Sequence, residues 1–482
     1  MNITALPMDI LILILDKLSV LELAALSQAC HTFNTLVMEF GWPAYLRAHP
    51  RPSYSLSRAR TQWKPQYTFH YDRMSDDAWK RSEFIARPLS RAWFGKLQPI
   101  LAISTSRLIV AAGSNLYSYK FGGSIDLASP SVEVEGMISL SENHQANCDI
   151  TGITFVEDGG LDQTIYVGFQ DGVLERVVLK PSSNEDELSA DRANIATMHS
   201  GHFVESLSSD SNLLLSLSAE GQATLLDHHQ YIPQSISTIE LNTRSWTSHL
   251  SLHASGPYAA FGTSSSTPLV IHPITNDQLS PNPIAVLGTM SNQTTEPAVY
   301  GLSQAPICSP WGSSPQILVS GGFYGEIRCY DLRSSLRVSE AEGTSESSPA
   351  PLRPVLTLSN PWLDEAVYSV SCGGGSGSHI AAGSARHSVV SFWDVRSPKT
   401  GWSVHAPGND RSPVYSVILE SSRFFGATQS RPFVYDFGPG VTPDTYPAVP
   451  TNHDGLEQKM WSNLSYYVTK YPHNRGTPGN EH

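Results

Sequence analysis

The chain of 482 residues is poor in cysteine, in charge and in long apolar runs, and each shortage excludes something. Its five cysteines, Cys30, Cys148, Cys308, Cys329 and Cys372, include no C-x-x-C pair and are odd in number. Neither a disulfide framework nor a structural zinc site is indicated. The pattern suits a reducing intracellular compartment, with the thiols as small buried hydrophobes. Charged residues make up only 16%, and 44 acids against 31 bases leave a formal charge of −13. Such a balance argues against nucleic acid as a partner of the whole molecule, because phosphates are neutralised by clustered Lys and Arg. The run Ile10-Leu11-Ile12-Leu13-Ile14-Leu15 lacks a preceding basic flank and is bracketed by Asp9 and Asp16. It is too short to span a bilayer and does not read as a cleaved signal, so no membrane partner is expected. Linear catalytic signatures are missing as well: no H-E-x-x-H, G-x-S-x-G, kinase set or phosphate-cradling glycine loop occurs. The 17 histidines are scattered without ligand spacing. Metal, cofactor and catalysis are therefore not expected.

What is present describes a folded protein of one small and one large module. The length exceeds one ordinary domain, 40% hydrophobic content suits a packed core, and 35 Gly with 33 Pro suit an all-β fold rich in turns. Helical periodicity dominates only residues 1–45. Ile10, Leu11, Ile14, Leu15 and Leu18 fall on one stripe, Leu26, Cys30, Phe33 and Val37 on another. Pro7 suits a first turn and Ser19 a break before the second helix. About forty residues cannot bury that much apolar surface among themselves, so a partner helix or groove is needed to cover the rest.

These residues carry a resemblance. Leu6-Pro7-Met8-Asp9-Ile10-Leu11, Ile14-Leu15-Asp16-Lys17-Leu18, Leu21-Glu22-Leu23, Leu26-Ser27-Gln28-Ala29-Cys30, Phe33 and Leu36 resemble the F-box family in order as well as composition. Phe33 stands where that family often has tryptophan. The resemblance implies binding to a Skp-type adaptor and, through it, to a cullin scaffold that recruits a ubiquitin-conjugating enzyme. The adaptor contacts it implies are Leu6, Pro7, Ile10, Leu11, Ile14, Leu15, Leu18, Leu26, Cys30 and Phe33. Residues 46–92 read as a partly helical connector: eleven basic residues from Arg47 to Lys96 meet only Asp72, Asp76, Asp77 and Glu83. Such a segment suits packing on an acidic partner domain, or an anion-binding patch.

From about Trp93 the texture changes to short β-prone runs separated by Gly, Ser, Asn and Asp. Val299-Tyr300-Gly301-Leu302, Val367-Tyr368-Ser369-Val370 and Val414-Tyr415-Ser416-Val417 are versions of one strand. Each precedes a small-residue strand, such as Ile380-Ala381-Ala382-Gly383, and a third strand ending in Tyr330-Asp331, Trp393-Asp394 or Tyr435-Asp436. Weaker copies start near Ile100, Ile150, Gly201 and His249, making seven, a plausible ring number. The unit resembles the WD repeat, best kept at Gly201-His202 and Trp393-Asp394. The expected fold is thus mainly β: a seven-bladed WD-repeat propeller over residues 93–472, behind a small all-α F-box at 1–45 and before a flexible tail, 473–482. Sealing the ring calls for a strand from outside the repeats, near Glu83–Pro88 or near Tyr466–Tyr471. The connector is expected against the outside of the ring. Segments 181–192, 276–297 and 340–351 read as mobile polar inserts, and Gly373–Ser378 as a flexible hairpin.

In a propeller the loops joining second and third strands gather on one face. Here they hold Gln170, Glu220, Tyr324, Arg386, His387 and Arg431. Arg386 and Arg431 come from neighbouring copies, so they are expected to converge on an anionic group of a target, with Tyr324 and His387 beside them. In related F-box propellers this face reads short, often phosphorylated, target segments. Together the resemblances imply an intracellular, non-catalytic substrate receptor of an SCF-type ubiquitin ligase. A plain WD-repeat scaffold is the alternative. Another is a receptor for a different cullin adaptor, through the Asp-x-Arg endings Asp331-Leu332-Arg333 and Asp394-Val395-Arg396.

Overall fold

A computed structural model describes residues 6–123, 128–141, 148–180, 188–199, 201–229, 234–287, 297–335, 337, 351–408, 411–449 and 464–473. Six helices come first: α1 Met8–Leu15, α2 Val20–Ala29, α3 His31–Leu36, α4 Trp42–Ala48, α5 Ser57–Gln62 and α6 Pro65–Arg81. A wider π turn, Val37–Gly41, joins α3 to α4. Ser19 caps α2 in a reciprocal box: its side chain accepts from the Glu22 amide and the Glu22 carboxylate accepts from the Ser19 amide at 2.7 Å. α6 opens with Pro65, has Lys80 and Arg81 in its last turn, and stops at the left-handed Ser82 (φ 51°).

The strands form seven antiparallel sheets. Blades 1 to 6 open with Ile100–Ile103, Ile150–Phe155, Val204–Asp210, Ser245–Ser251, Val299–Gln304 and Val367–Gly373. Blade 7 opens with Val414–Leu419, and its outermost strand is Ile85–Pro88, which pairs with Pro432–Asp436. The ring is therefore closed by the first of the two candidate strands. The second, Lys470–Pro472, adds a fifth strand to blade 6 beside Gly401–His405. A residue expected in the tail, His473, is buried, with Nε2 2.7 Å from Ser403 Oγ; residues 474–482 lie outside the described residues.

Each interface between neighbouring blades has its own apolar cluster, from Ile109 with Ile165 between blades 1 and 2 to Val110 with Phe425 between blades 7 and 1. Stacking covers both faces of every sheet, which no blade could do alone. Small residues in the second strands let blades approach near the axis. A Cβ placed at Gly321 would lie 2.5 Å from Val367 Cγ1, and one at Gly383 2.7 Å from the Val414 carbonyl.

Three sequence expectations change. Part of the insert 181–192 is strand, since Ser189–Thr197 pairs along Val173–Lys180, and Gln278–Leu279 and Ala285–Leu287 pair onto Leu269–Thr275. An outermost strand faces solvent along its edge, so a polar sequence suffices for it. Residues 181–187, 288–296 and 340–350 lie outside the described residues. Cys30 and Cys308 are exposed rather than buried. The helical part of the connector, before Ile85–Pro88, does not run along the outer wall. It crosses one end of the ring, made by the loops joining first to second and third to fourth strands; we call this end proximal. The Gly373–Ser378 hairpin belongs to its seat, with Gly374 and Gly375 against Trp79 and Asp76 of α6.

Candidate functional site

The N-terminal helices pack around Leu11, Leu15, Leu23, Phe33, Leu36, Val37 and Trp42. Leu11, Leu15 and Phe33, which the F-box resemblance implies as adaptor contacts, are thus buried in the module's own core, because they fall on the inward stripe. Leu6, Ile14, Leu18 and Leu26 are half-buried; Pro7, Ile10 and Cys30 are exposed. The outward stripe adds three residues that were not singled out: Met8, Leu13 and Leu21, 54%, 60% and 81% exposed. Hydrophobic content alone marks both stripes equally, so only the packing separates them. Beside Leu18 and Leu21, a groove of about 870 Å³ runs between the α1–α2 turn and Ala44–His49.

The module is held to the ring by the connector. Trp42 stacks on Phe69 of α6 at 4.9 Å. Trp79 stacks on Phe437 at 3.6 Å and donates Nε1–H to the Ser421 carbonyl at 2.9 Å. Tyr71 OH lies 3.1 Å from Ser129 Oγ and 3.0 Å from Ser422 Oγ, above a fully buried Arg423–Asp436 pair at 3.2 Å. The Glu420 carboxylate accepts from the Tyr54 amide at 2.5 Å, the Ser55 amide at 3.1 Å, Ser53 Oγ at 3.3 Å and Ser55 Oγ. Burial pushes the Glu420 carboxyl up, and these donors and Arg423 oppose that shift. The connector's own bases are largely spent within it: Arg51 pairs with Asp76 at 2.6 Å and Arg60 with Asp72 at 2.8 Å.

The opposite, distal end is built from the second-to-third loops and the loops between blades. In six blades the first strand carries a bulge at its second residue: Thr151, Glu205, Trp246, Tyr300, Tyr368 and Tyr415. A bulge re-aims its side chain out of the sheet packing. Four of these form an arc around the axis. Trp246 meets Tyr300 at 5.0 Å, Tyr300 meets Tyr368 at 5.4 Å, and Tyr368 meets Tyr415 at 5.7 Å. All four are half-buried. Trp246 and Tyr415, the two ends of the arc, border a mouth of about 430 Å³ that Lys96, Asp149, Thr151 and Gln170 also line. Arg244 lies 3.9 Å over the Trp246 ring and 2.9 Å from Glu205.

The four residues expected to hold a target fall in equivalent distal loops of blades 5, 6 and 7 and differ in exposure. Arg386 and His387 are exposed in the blade 6 loop, and Tyr324 is half-buried in that of blade 5. His387 has φ 61° and lies 3.4 Å from Glu365. Whereas Arg386 is open to solvent, Arg431 is 9% exposed. Its charge acts on Tyr466, whose amide bonds to Ala86 on the outermost strand of blade 7. Arg386 acts instead on Tyr368, on the innermost strand of blade 6. Equivalent loops thus bury one arginine and leave the other exposed. The Asp-x-Arg endings are closed on themselves: Arg333 binds Asp331 at 2.8 Å and Arg396 binds Asp394 at 2.7 Å.

Among the described residues, no helix is long and apolar enough to cross a membrane. A family model, F-box domain, matches residues 3–41. No curated protein matches the chain. Among solved structures, a chain described as "Crystal Structure of Mitotic Checkpoint Complex" aligns with 14% identity over 70% of this chain and 88% of that one, at a TM-score of 0.46. At that score the likeness carries no argument about this chain. An F-box domain at residues 3–41 followed by a seven-bladed β-propeller makes this chain one that fits an F-box/WD-repeat protein.

Proposed function

We propose that the chain is the substrate-recognition subunit of an SCF-type cullin ubiquitin ligase, working inside the cell without catalysing a reaction itself. The observation that carries this reading is the division of the molecule into two ends. An F-box with an outward apolar stripe is anchored at the proximal end, and four exposed aromatic side chains lie in loops of the distal one. Phe94, Phe203, Phe323 and Trp362 are 101%, 40%, 43% and 50% exposed, and all lie in distal loops. Exposed aromatics favour protein contacts because each buries a large area at small entropic cost. The F-box would hold a Skp-type adaptor, and through it the cullin, while the distal end holds the target. The Asp-x-Arg endings do not favour the other cullin adaptor, since their guanidiniums already face their own aspartates. Co-purification with a Skp-type adaptor is the test. A double change of Leu6→Ala and Pro7→Ala should abolish it, and unchanged recovery at equal expression would refute the assignment.

A further inference from the structure

The bulges of the inner strands do more than decorate the ring. Six blades carry a bulged residue at the distal start of the inner strand, and the six differ in kind by sector: polar on blades 2 and 3, aromatic on blades 4 to 7. The aromatic sector is continuous, each ring touching the next at 5.0 to 5.7 Å. The first two contacts are edge-on, at 75° and 81°, and the last is stacked at 18°. The rings touch edge to face, and their half-buried outer sides offer π surface on which a flat or apolar side chain can lie.

Charge around the arc is not symmetric. Glu205 is faced by Arg244 at 2.9 Å, Glu365 lies 3.4 Å from the His387 ring, and Asp149 lines the mouth. Arg386 makes no ion pair among the described residues and is exposed. Ser384 pairs with Val367, the residue before Tyr368, so Arg386, two residues further along the same loop, stands beside the start of the strand that carries the middle of the arc. Lys96 is a second exposed cation, lining the same mouth as Tyr415, with Asp149 across from it. The volume of about 430 Å³ is within the range of pockets that take one or two side chains rather than a folded domain.

From these placements we propose that the distal mouth takes an extended peptide carrying an aromatic side chain next to an acidic one. The aromatic residue packs into the arc Trp246–Tyr300–Tyr368–Tyr415, and the acidic residue meets Arg386. The proposal rests on the receptor reading above and names the chemistry of what that receptor would hold. It differs from the arginine-pair expectation in that stacking supplies most of the affinity and a single arginine sets the charge preference.

The experiment is selection of random dodecapeptides on phage against the purified full-length chain, followed by fluorescence anisotropy with the enriched peptides. Sequences with an aromatic residue beside Asp or Glu should be enriched. The double variant Tyr300→Ala/Tyr368→Ala should weaken them about tenfold or more, while Tyr300→Phe/Tyr368→Phe should keep them. Arg386→Glu should weaken acidic peptides and strengthen versions in which the acid is replaced by lysine. Circular dichroism and thermal melting of each variant exclude loss of the fold, and the Phe pair keeps the test decisive if the Ala pair misfolds. Lack of enrichment, enrichment of basic peptides, or unchanged affinity for the Tyr→Ala pair would overturn the proposal. So would binding that appears only when the acidic residue is replaced by a phosphorylated serine. Adaptor co-purification, measured on the same preparations, reports separately on the receptor reading.

Discussion

Replacing Glu420 by alanine should loosen the F-box from the propeller without unfolding either. The carboxylate is 3% exposed and gathers four donors from Ser53, Tyr54 and Ser55 of the connector. Hydrogen bonds to a charged acceptor contribute about 1.5–3 kcal/mol each, but desolvating the carboxylate costs several kcal/mol in return. The net of the pair is therefore small beside the cost of breaking it. Glu420→Ala leaves the buried Ser55 amide and the part-buried Tyr54 amide without their acceptor, at about 1–3 kcal/mol for a fully buried donor and less for Tyr54. Ser53 matters less, since its 3.3 Å contact is the longest. A combined loss of about 3 kcal/mol should raise local opening of the connector on the order of a hundredfold. Hydrogen exchange followed by mass spectrometry on peptides spanning residues 51–62 reads that change directly. Exchange of the blade 2 and blade 3 strands, far around the ring, should not change. Glu420→Gln keeps one acceptor oxygen but turns an amide NH₂ toward the donors, so it should fall between. If the Tyr54 and Ser55 amides keep parental protection in Glu420→Ala, the anchor argument fails, and Trp79 and Tyr71 must hold the connector alone.

Three further outcomes follow from the same coordinates. Leu15→Ala should destabilise the helical module by about 2–5 kcal/mol, since Leu15 is 4% exposed in its core; Leu13→Glu should leave stability within about 0.5 kcal/mol and remove adaptor binding. Thermal melts and co-purification of the two variants should therefore rank in opposite order. Burial pushes the His473 imidazole down to about 4, so the folded state holds it neutral. Its contribution is complete above the unfolded value of about 6.5 and is lost as pH falls toward 4, by at most about 1.4 kcal/mol per pH unit. Urea midpoints at pH 7.5 and 5 should differ less in His473→Leu than in the parent, and an equal difference would refute this. Gly383→Val should cost about 1–3 kcal/mol by overpacking, because even a Cβ there would sit 2.7 Å from the Val414 carbonyl and 2.9 Å from its Cγ1; a melting temperature equal to the parent's would show that the blades can part at no cost.

Much of the fold was legible because its determinants are local. Strand phrases such as Val367-Tyr368-Ser369-Val370 with Ile380-Ala381-Ala382-Gly383 alternate at the period of a sheet, and seven repetitions imply a stack. The Leu6-Pro7 opening and the paired aliphatics after it marked the F-box that the family model matches at 3–41. Polar outermost strands such as Ser189–Thr197 were misread, because a strand with one edge in water needs little hydrophobic signal. Sequence by itself thus determined the class of each module, their order and the small residues that let blades close up.

Tertiary structure decided which side of each element does what. Leu11, Leu15 and Phe33 turned inward and Met8, Leu13 and Leu21 outward, although all six look alike in a hydrophobicity pattern. Tyr300, Tyr368 and Tyr415 read as strand residues, yet a one-residue bulge in each inner strand frees them to face the axis. Arg386 and Arg431 occupy equivalent loops, but the first is exposed and the second buried. The physical reason is the same in each case. Periodicity and composition are carried by neighbours along the chain, whereas the side on which a residue finds water or protein is set by elements hundreds of residues away.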